Sequence, residues 1–225
     1  MSSSSSLNTA AVLFSGGVDS AVLTAELESQ FPRIQPFYIR CGMLWEEAEL
    51  AYAHQFLSLL NRKCFQPLKV FDLPLIDLIP NHWSFTGTAI PDHTTPDEAV
   101  YLPGRNLLLL AKTGLWCRMN DIETIALGIL DSNPFPDGTD TFFQSFQHTL
   151  NQALPGSLSI ITPFAGMTKT EVLQRGAHLP LGSTFSCINP SHSQHCGECN
   201  KCEERRQAFH KAKLHDPTNY IHNPL

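Results

Sequence analysis

The sequence predicts an α/β protein: a parallel sheet with helices on both faces, followed by a metal-binding C-terminal segment. Three observations carry this expectation. Short apolar runs of strand length alternate along the chain with longer stretches of helical spacing. The first apolar run ends abruptly in Ser15-Gly16-Gly17, as a strand does when it feeds a loop and then a helix. Four of the seven cysteines crowd between Cys187 and Cys202.

Thr9 to Phe14 reads Thr-Ala-Ala-Val-Leu-Phe, an unbroken apolar run that suits a strand buried on both faces. Asp19 to Gln30 carries Ala21, Val22 and Ala25 at helical spacing. Ile34 to Arg40 is the second strand, Trp45 to Leu60 the second helix, and Phe65 to Phe71 the third strand. Asp72 to Tyr101, punctuated by Pro74, Pro80, Pro91 and Pro96, has no clear period. It is expected to be a long loop over the functional end of the sheet, since structureless stretches of that length usually serve as lids or binding loops. Asn106 to Arg118 follows as a buried helix, with Leu107 to Leu110 as core, and Asp121 to Leu130 as a strand. Phe142 to Leu154 reads as a helix, Leu158 to Thr162 as a short strand and Lys169 to Ala177 as a helix. Ligands of such sheets bind beyond the carboxyl ends of the strands.

With 225 residues, the chain fits one domain with an appendage. The divisions expected are a tail over 1–8, an α/β domain over 9–183 and a C-terminal segment over 184–225. Hydrophobic residues at 42% and charged residues at 16% are globular values and exclude a disordered chain. No apolar run reaches the roughly 20 residues that span a bilayer. A formal charge of −6 disfavours a protein whose main task is gripping nucleic-acid phosphates. The opening Met-Ser-Ser-Ser-Ser-Ser-Leu lacks both the basic start and the apolar stretch of a secretory signal, so the reducing cytoplasm is the expected compartment.

Ser15-Gly16-Gly17-Val18-Asp19-Ser20 lies between the first strand and the first helix. Two glycines let backbone approach a ligand closely, and the free N–H groups opening a helix face an anion. Ser15 and Ser20 add hydroxyl donors, while Asp19 either helps hold Mg2+ or caps the helix. The pattern is neither the ATPase Gly-x-x-x-x-Gly-Lys-Ser/Thr nor the dinucleotide Gly-x-Gly-x-x-Gly. A glycine turn with capping serines is the competing explanation.

Cys187-x8-Cys196-x2-Cys199-x2-Cys202 supplies four thiols in one short segment. Four thiolates around one ion make a closed, structural zinc site, and Gly197 permits the tight turn of a metal knuckle. Unliganded buried thiols, an iron–sulfur cluster and a redox Cys-x-x-Cys pair are the alternatives. His192 and His195 read as solvated residues of the same loop.

Taken together, these motifs resemble the 7-cyano-7-deazaguanine synthase family of the queuosine pathway, within the PP-loop ATP pyrophosphatase superfamily. The resemblance rests on Ser15 to Ser20, Leu102-Pro-Gly-Arg-Asn106, Phe135-Pro-Asp137, Met167-Thr-Lys-Thr-Glu171, and Ser186-Cys187 through Cys202-Glu-Glu-Arg-Arg206 with Ala208-Phe209. It implies a Rossmann-like fold of the adenine nucleotide alpha hydrolase type, with 9–183 as the ATP-binding domain. It also implies an activity. ATP adenylates the carboxylate of 7-carboxy-7-deazaguanine, ammonia displaces AMP to give an amide, and a second adenylation leads to the nitrile. Phe14, Ser15, Gly16, Gly17, Val18, Asp19 and Ser20 would bind ATP, the cosubstrate, with Mg2+. Ser20, Arg105 and Lys169 would act in catalysis, and Arg105, Asp131, Phe135 and Asp137 would contact the deazapurine. Cys187, Cys196, Cys199 and Cys202 would hold structural zinc. The family tends to form homodimers. Where members carry Tyr-Gly-Gln followed by a basic residue and His, this chain has Arg40-Cys-Gly-Met-Leu-Trp45, and Tyr-Pro-Asp-Cys is replaced by Phe135-Pro-Asp-Gly138. Two other readings stand beside this one: a PP-loop enzyme acting on a different carboxylate or nucleobase, and a non-catalytic zinc-stabilised binding module.

Overall fold

The computed structural model describes residues 8–222, so the expected tail lies, but for Asn8, outside the described residues. Five strands form one sheet: β1 (Thr9–Leu13), β2 (Arg33–Arg40), β3 (Lys69–Asp72), β4 (Thr124–Ala126) and β5 (Ser159–Ile161). All are parallel, in the order β3-β2-β1-β4-β5. The chain winds outward from β1 to β3, then returns to add β4 on the other side of β1. The carboxyl end of β1 is thereby a topological switch point, where open α/β sheets bind ligands.

Seven helices connect and follow the strands: α1 (Val18–Glu26), α2 (Glu46–Leu60), α3 (Trp83–Thr86), α4 (Arg105–Met119), α5 (Asp140–Ala153), α6 (Lys169–Arg175) and α7 (Asn200–Ala212). Alternation along each strand sends neighbouring side chains to opposite faces. Val12, Ile34, Ala126 and Ile161 pack with residues of α1, α2, α6 and α7. Ala11, Phe37, Ile125 and Ile160 pack with α4 and α5. Helices therefore cover both faces, as the apolar strand runs require.

Several expectations are corrected in detail. The third strand was expected to start at Phe65. Phe65 makes only an isolated bridge to Ile34: the Ile34 N–H donates to the Cys64 carbonyl, but Pro36, the next β2 residue facing this edge, has no N–H to continue the pairing, and the ladder resumes at Lys69. The strand expected over 121–130 is paired only from Thr124 to Ala126, the length its neighbour β5 matches. The stretch 72–101 is not structureless. It contains α3 and a 3-10 turn at Asp97–Val100. Leu107 to Leu110 are not all core: Leu110 is fully buried, while Leu107 is 42% exposed. Successive helical residues point about 100° apart, so four in a row cannot share one face.

Candidate active site

β1 ends at the carboxyl edge of the sheet and the chain turns through Ser15 and Gly16. Gly16 has φ +79°, and a Cβ there would sit 3.1 Å from the Glu49 carbonyl oxygen and 3.2 Å from the Ala53 Cβ. Only glycine fits that backbone and that gap. Gly17 caps α1 without a side chain, so the first-turn N–H groups stay open to an anion. The Gly17 N–H donates to Ser15 Oγ at 3.3 Å, Ser20 Oγ donates to the Gly17 carbonyl at 3.1 Å, and the two serine oxygens lie 3.2 Å apart. From below, the Phe185 N–H donates to the Gly16 carbonyl at 2.8 Å. The loop is thus held from within and from behind.

A cavity of about 190 Å3 opens against this loop, between Phe37–Ile39 of β2 and the 127–129 turn after β4. Phe14 lines it, although its ring is buried against Phe56. A second cavity, about 280 Å3, shares Ser15, Gly17 and Val18 with the loop and is walled by Trp45, Trp83, Phe135, Glu49 and Ser186. A third follows residues 128–135. Asp19 and Arg105 line all three, which makes them lobes of one cleft.

The Pro-Gly-Arg-Asn segment presents Arg105. Gly104 caps α4 at φ +67°, and the Asp137 carboxylate accepts the Asn106 N–H at 2.9 Å. The Asn106 side chain returns a bond to the Asp137 carbonyl at 3.1 Å. Asp137 is therefore occupied at the start of α4 and does not line the cleft lobes. Asp131 does not line them either: it is exposed, with its N–H on the Met167 carbonyl. Phe135 does face the cleft, stacked on Tyr101 at 5.3 Å. Arg105 makes no ion pair among the described residues, and its Nε is buried without a partner.

Lys169 stands at the first turn of α6, behind a Thr168–Glu171 capping box. Its ammonium pairs with Asp19 at 2.7 Å and Glu204 at 3.2 Å, and Lys201 links Glu204 at 2.6 Å to Asp97 at 3.4 Å. Burial works against the charge on Lys169, but Asp19 and Glu204 outweigh it and hold the group above the ordinary lysine range. Burial likewise opposes the Glu204 carboxylate, yet Lys169 and Lys201 bring it down to about 2. Asp19 keeps one oxygen, Oδ1, buried and unpartnered.

The four clustered cysteines are all buried and their Sγ atoms lie within 4.8 Å of one another. Cys187 and Cys199 are 3.8 Å apart at sulfur, Cys196 and Cys202 3.9 Å. Backbone N–H groups of Asn189, Cys196 and Glu198 point at these sulfurs, and Gly197 takes φ +89°. The cluster can hold a metal ion. His192 is exposed as expected, but His195 is buried: its Nε2 accepts the Ser186 N–H, and its ring packs on Tyr52, Phe185 and Tyr220. Burial, and then the nearby Arg205 charge, lower its pKa to about 3, so it is a neutral packing residue.

A family model described as "Queuosine biosynthesis protein QueC" matches residues 9–213. The chain belongs to this family. It is similar to 7-cyano-7-deazaguanine synthase 1 of Desulfitobacterium hafniense, with 32% identity over 214 residues and 93% of each chain covered. It is also similar to the 7-cyano-7-deazaguanine synthase of Methanosphaerula palustris, with 31% identity covering 94% of this chain and 98% of that protein. These relatives are synthases, and no helix among the described residues is long and apolar enough to cross a membrane.

Sequence reasoning missed four cleft residues of the QueC-family chain: Glu49, Tyr38, Trp83 and Arg205. Arg205 is 2% exposed and fully engaged. It donates to Thr218 Oγ1, Thr184 Oγ1, Ser186 Oγ and the Leu181 carbonyl at 2.6 to 3.2 Å. A cationic residue surrounded by Glu and Gln in a helix carries no sequence sign of such burial. Trp83 opens the short helix α3 inside a stretch without sequence period, where Trp83 and Phe85 were the only signal.

Proposed function

We propose that this chain is an ATP-dependent carbon–nitrogen ligase of the 7-cyano-7-deazaguanine synthase type. Its substrates would be 7-carboxy-7-deazaguanine, ammonia and ATP. Carboxylate oxygen is a poor leaving group and AMP a good one, so adenylation prepares the carbon first for ammonia and then, as the amide, for loss of the oxygen. The observation that carries the reading is Arg105. An unpaired guanidinium is shared by a lobe floored by the glycine loop and a lobe walled by aromatic rings. That arrangement suits a nucleotide phosphate meeting the carboxylate of a flat base.

In this reading Ser15, Gly16, Gly17 and Ser20 cradle the phosphates that leave as pyrophosphate, with Phe14 and Val18 shaping the loop's flanks. Lys169 serves the same phosphate end, and an entering polyphosphate competes with Asp19 and Glu204 for it. Asp19 lines every lobe of the cleft, and its buried, unpartnered Oδ1 is a hard oxygen donor that fits Mg2+, which would share the phosphate charge. Phe135, Trp45 and Trp83 supply the aromatic walls for the deazapurine. The sulfur spacing fits zinc: thiolates at about 2.3 Å in a tetrahedron lie about 3.8 Å apart. A cubane cluster holds its thiolates on outer corners, farther apart than the 4.8 Å limit found here. With four cysteines the ion has no open position, so its part is structural. Free thiols for that ion match a reducing cytoplasm.

The test is to mix the protein with ATP, Mg2+, ammonium and 7-carboxy-7-deazaguanine and follow pyrophosphate, AMP and the mass of the base. Pyrophosphate with the nitrile product is expected. Pyrophosphate without the nitrile would replace this acceptor with another, and no pyrophosphate from metal-loaded protein would refute the ligase.

A further inference from the structure

Glu49 sits on α2 where the helix passes the glycine loop, and its backbone carbonyl is the atom that crowds Gly16. Its side chain lines the aromatic lobe of the cleft, together with Ser15, Asp19 and Arg105. The residue is only 8% exposed. One carboxylate oxygen accepts the Tyr38 hydroxyl at 2.6 Å, and the other has no hydrogen-bond partner among the described residues. Nothing in the glycine loop, the aromatic wall or the cysteine cluster uses this carboxylate. A buried carboxylate with one oxygen anchored and one free, beside the place where phosphate and base must meet, has the form of a proton acceptor.

We infer that Glu49 is the general base that takes the proton from ammonium at the adenylated carbon, with Tyr38 as its positioning residue. This rests on the ligase reading above. Ammonium gives one proton to the free Glu49 oxygen and becomes nucleophilic ammonia. The C–N bond forms as the C–O bond to AMP breaks, AMP leaves with the electron pair, and the second nitrogen proton passes to solvent. Ammonium and acyl-adenylate thus yield amide, AMP and two protons. The same carboxylate can remove an N–H proton when the adenylated amide expels AMP to give the nitrile.

The surroundings favour such a base. Burial lifts the Glu49 carboxyl from its ordinary 4.5 to about 7, with Arg105 and the Tyr38 hydroxyl pulling it down and Glu46 pushing it up. Tyr38 itself is raised far above its ordinary range, first by burial and then by Glu49, so it remains the donor. Across the lobe, Asp19, Lys169, Glu204 and Lys201 balance one another in a chain of ion pairs. Arg205 is taken up by hydroxyls and a carbonyl.

The test compares ammonium with hydroxylamine, which is already neutral at neutral pH and needs no base. In the wild type at neutral pH, with saturating deazapurine and ATP, ammonium should give the amide and nitrile and hydroxylamine the hydroxamate. In Glu49→Gln, ammonium-dependent amide formation should drop by about 100-fold, and the ratio of hydroxylamine to ammonium turnover should rise by a similar factor. KM for the deazapurine should stay near the wild-type value. An equal fall with both nucleophiles, or a raised KM for the base with turnover preserved, would overturn the inference in favour of a structural or base-binding role. Unchanged ammonium turnover would overturn it as well. If Glu49→Gln does not fold, Glu49→Asp, which keeps a carboxylate one methylene farther from the carbon, should lower ammonium turnover more than hydroxylamine turnover, and an equal fall with both would overturn the inference. If the wild type forms neither amide nor nitrile, it is the ligase reading that fails.

Discussion

The raised pKa of Glu49 makes a stability prediction that needs no substrate. Its carboxyl binds a proton more tightly in the folded chain than in the unfolded one, about 7 against 4.5. The sign follows directly. The folded state is favoured where the group is protonated, and that advantage is lost as pH rises from the ordinary value through about 7. A shift of this size corresponds to about 3 kcal/mol, of which about 2 kcal/mol falls between about pH 5 and about pH 8. Glu204 does not interfere, because its depressed pKa of about 2 places its contribution at lower pH: stability present above 4.5 and lost on acidification towards 2. His195 does interfere. Its pKa is lowered to about 3, so it adds a slope of opposite sign below its ordinary 6.5. The wild-type curve alone therefore decides nothing, but the difference between wild type and Glu49→Gln cancels His195. Urea midpoints for both proteins across this range should show the variant gaining about 2 kcal/mol on the wild type from the acid to the alkaline end. A difference that stays constant within about 0.5 kcal/mol would refute a raised Glu49 pKa.

Other perturbations separate the loop, the clamp and the metal. Gly16→Ala forces a Cβ onto the Glu49 carbonyl and the Ala53 methyl at positive φ. It should cost about 1–3 kcal/mol in urea unfolding and abolish pyrophosphate release, whereas Gly104→Ala, with nothing within 4 Å, should cost about 1 kcal/mol. Arg205→Met leaves two threonines, Ser186 and the Leu181 carbonyl without their donor. A loss of about 3–5 kcal/mol is expected by urea denaturation, and a loss below about 1 kcal/mol would show that the buried guanidinium is not holding the segment. Stripping metal with a chelator should lower Tm and speed proteolysis within 91–97, since that stretch hangs on the cysteine loop. Loss of Tm with unchanged proteolysis would sever the two.

The strands and the glycine loop were legible because their causes are local. An apolar run of strand length and a glycine at positive φ are decided by residues that adjoin in sequence, and so is the spacing of the cysteines. What escaped was decided by distant neighbours. Glu49 looks like any polar position in a helix that also carries Glu46 and Glu47. It is buried because β2 brings Tyr38 against it and α4 brings Arg105 to the same cleft. Asp137 looked like a ligand because it lies at a strand's carboxyl end. It is spent on the amide of Asn106, a partner no local pattern names. His195 appeared solvated beside exposed His192, yet rings from α2 and from the chain end close over it.

The contacts of the cysteine segment show how a metal held far along the chain would bear on ATP chemistry. The His93 N–H bonds the Glu198 carbonyl, and Asn200 bonds Pro91 and Thr95, so the loop carrying Trp83 and Val100 into the cleft is fastened to the turn between Cys196 and Cys202. Lys201 adds an ion pair to Asp97. From the same helix α7, Arg205 grips Thr184 and Ser186, which flank Phe185, whose amide holds the Gly16 carbonyl. One side of the segment therefore fixes the aromatic wall and the other fixes the phosphate loop. An ion that locks four cysteines would set the distance between the two without touching substrate. Reacting groups must be held to within a fraction of an ångström for adenylation to outrun hydrolysis. The metal's contribution to the chemistry would then be rigidity, and it should appear in turnover as well as in Tm.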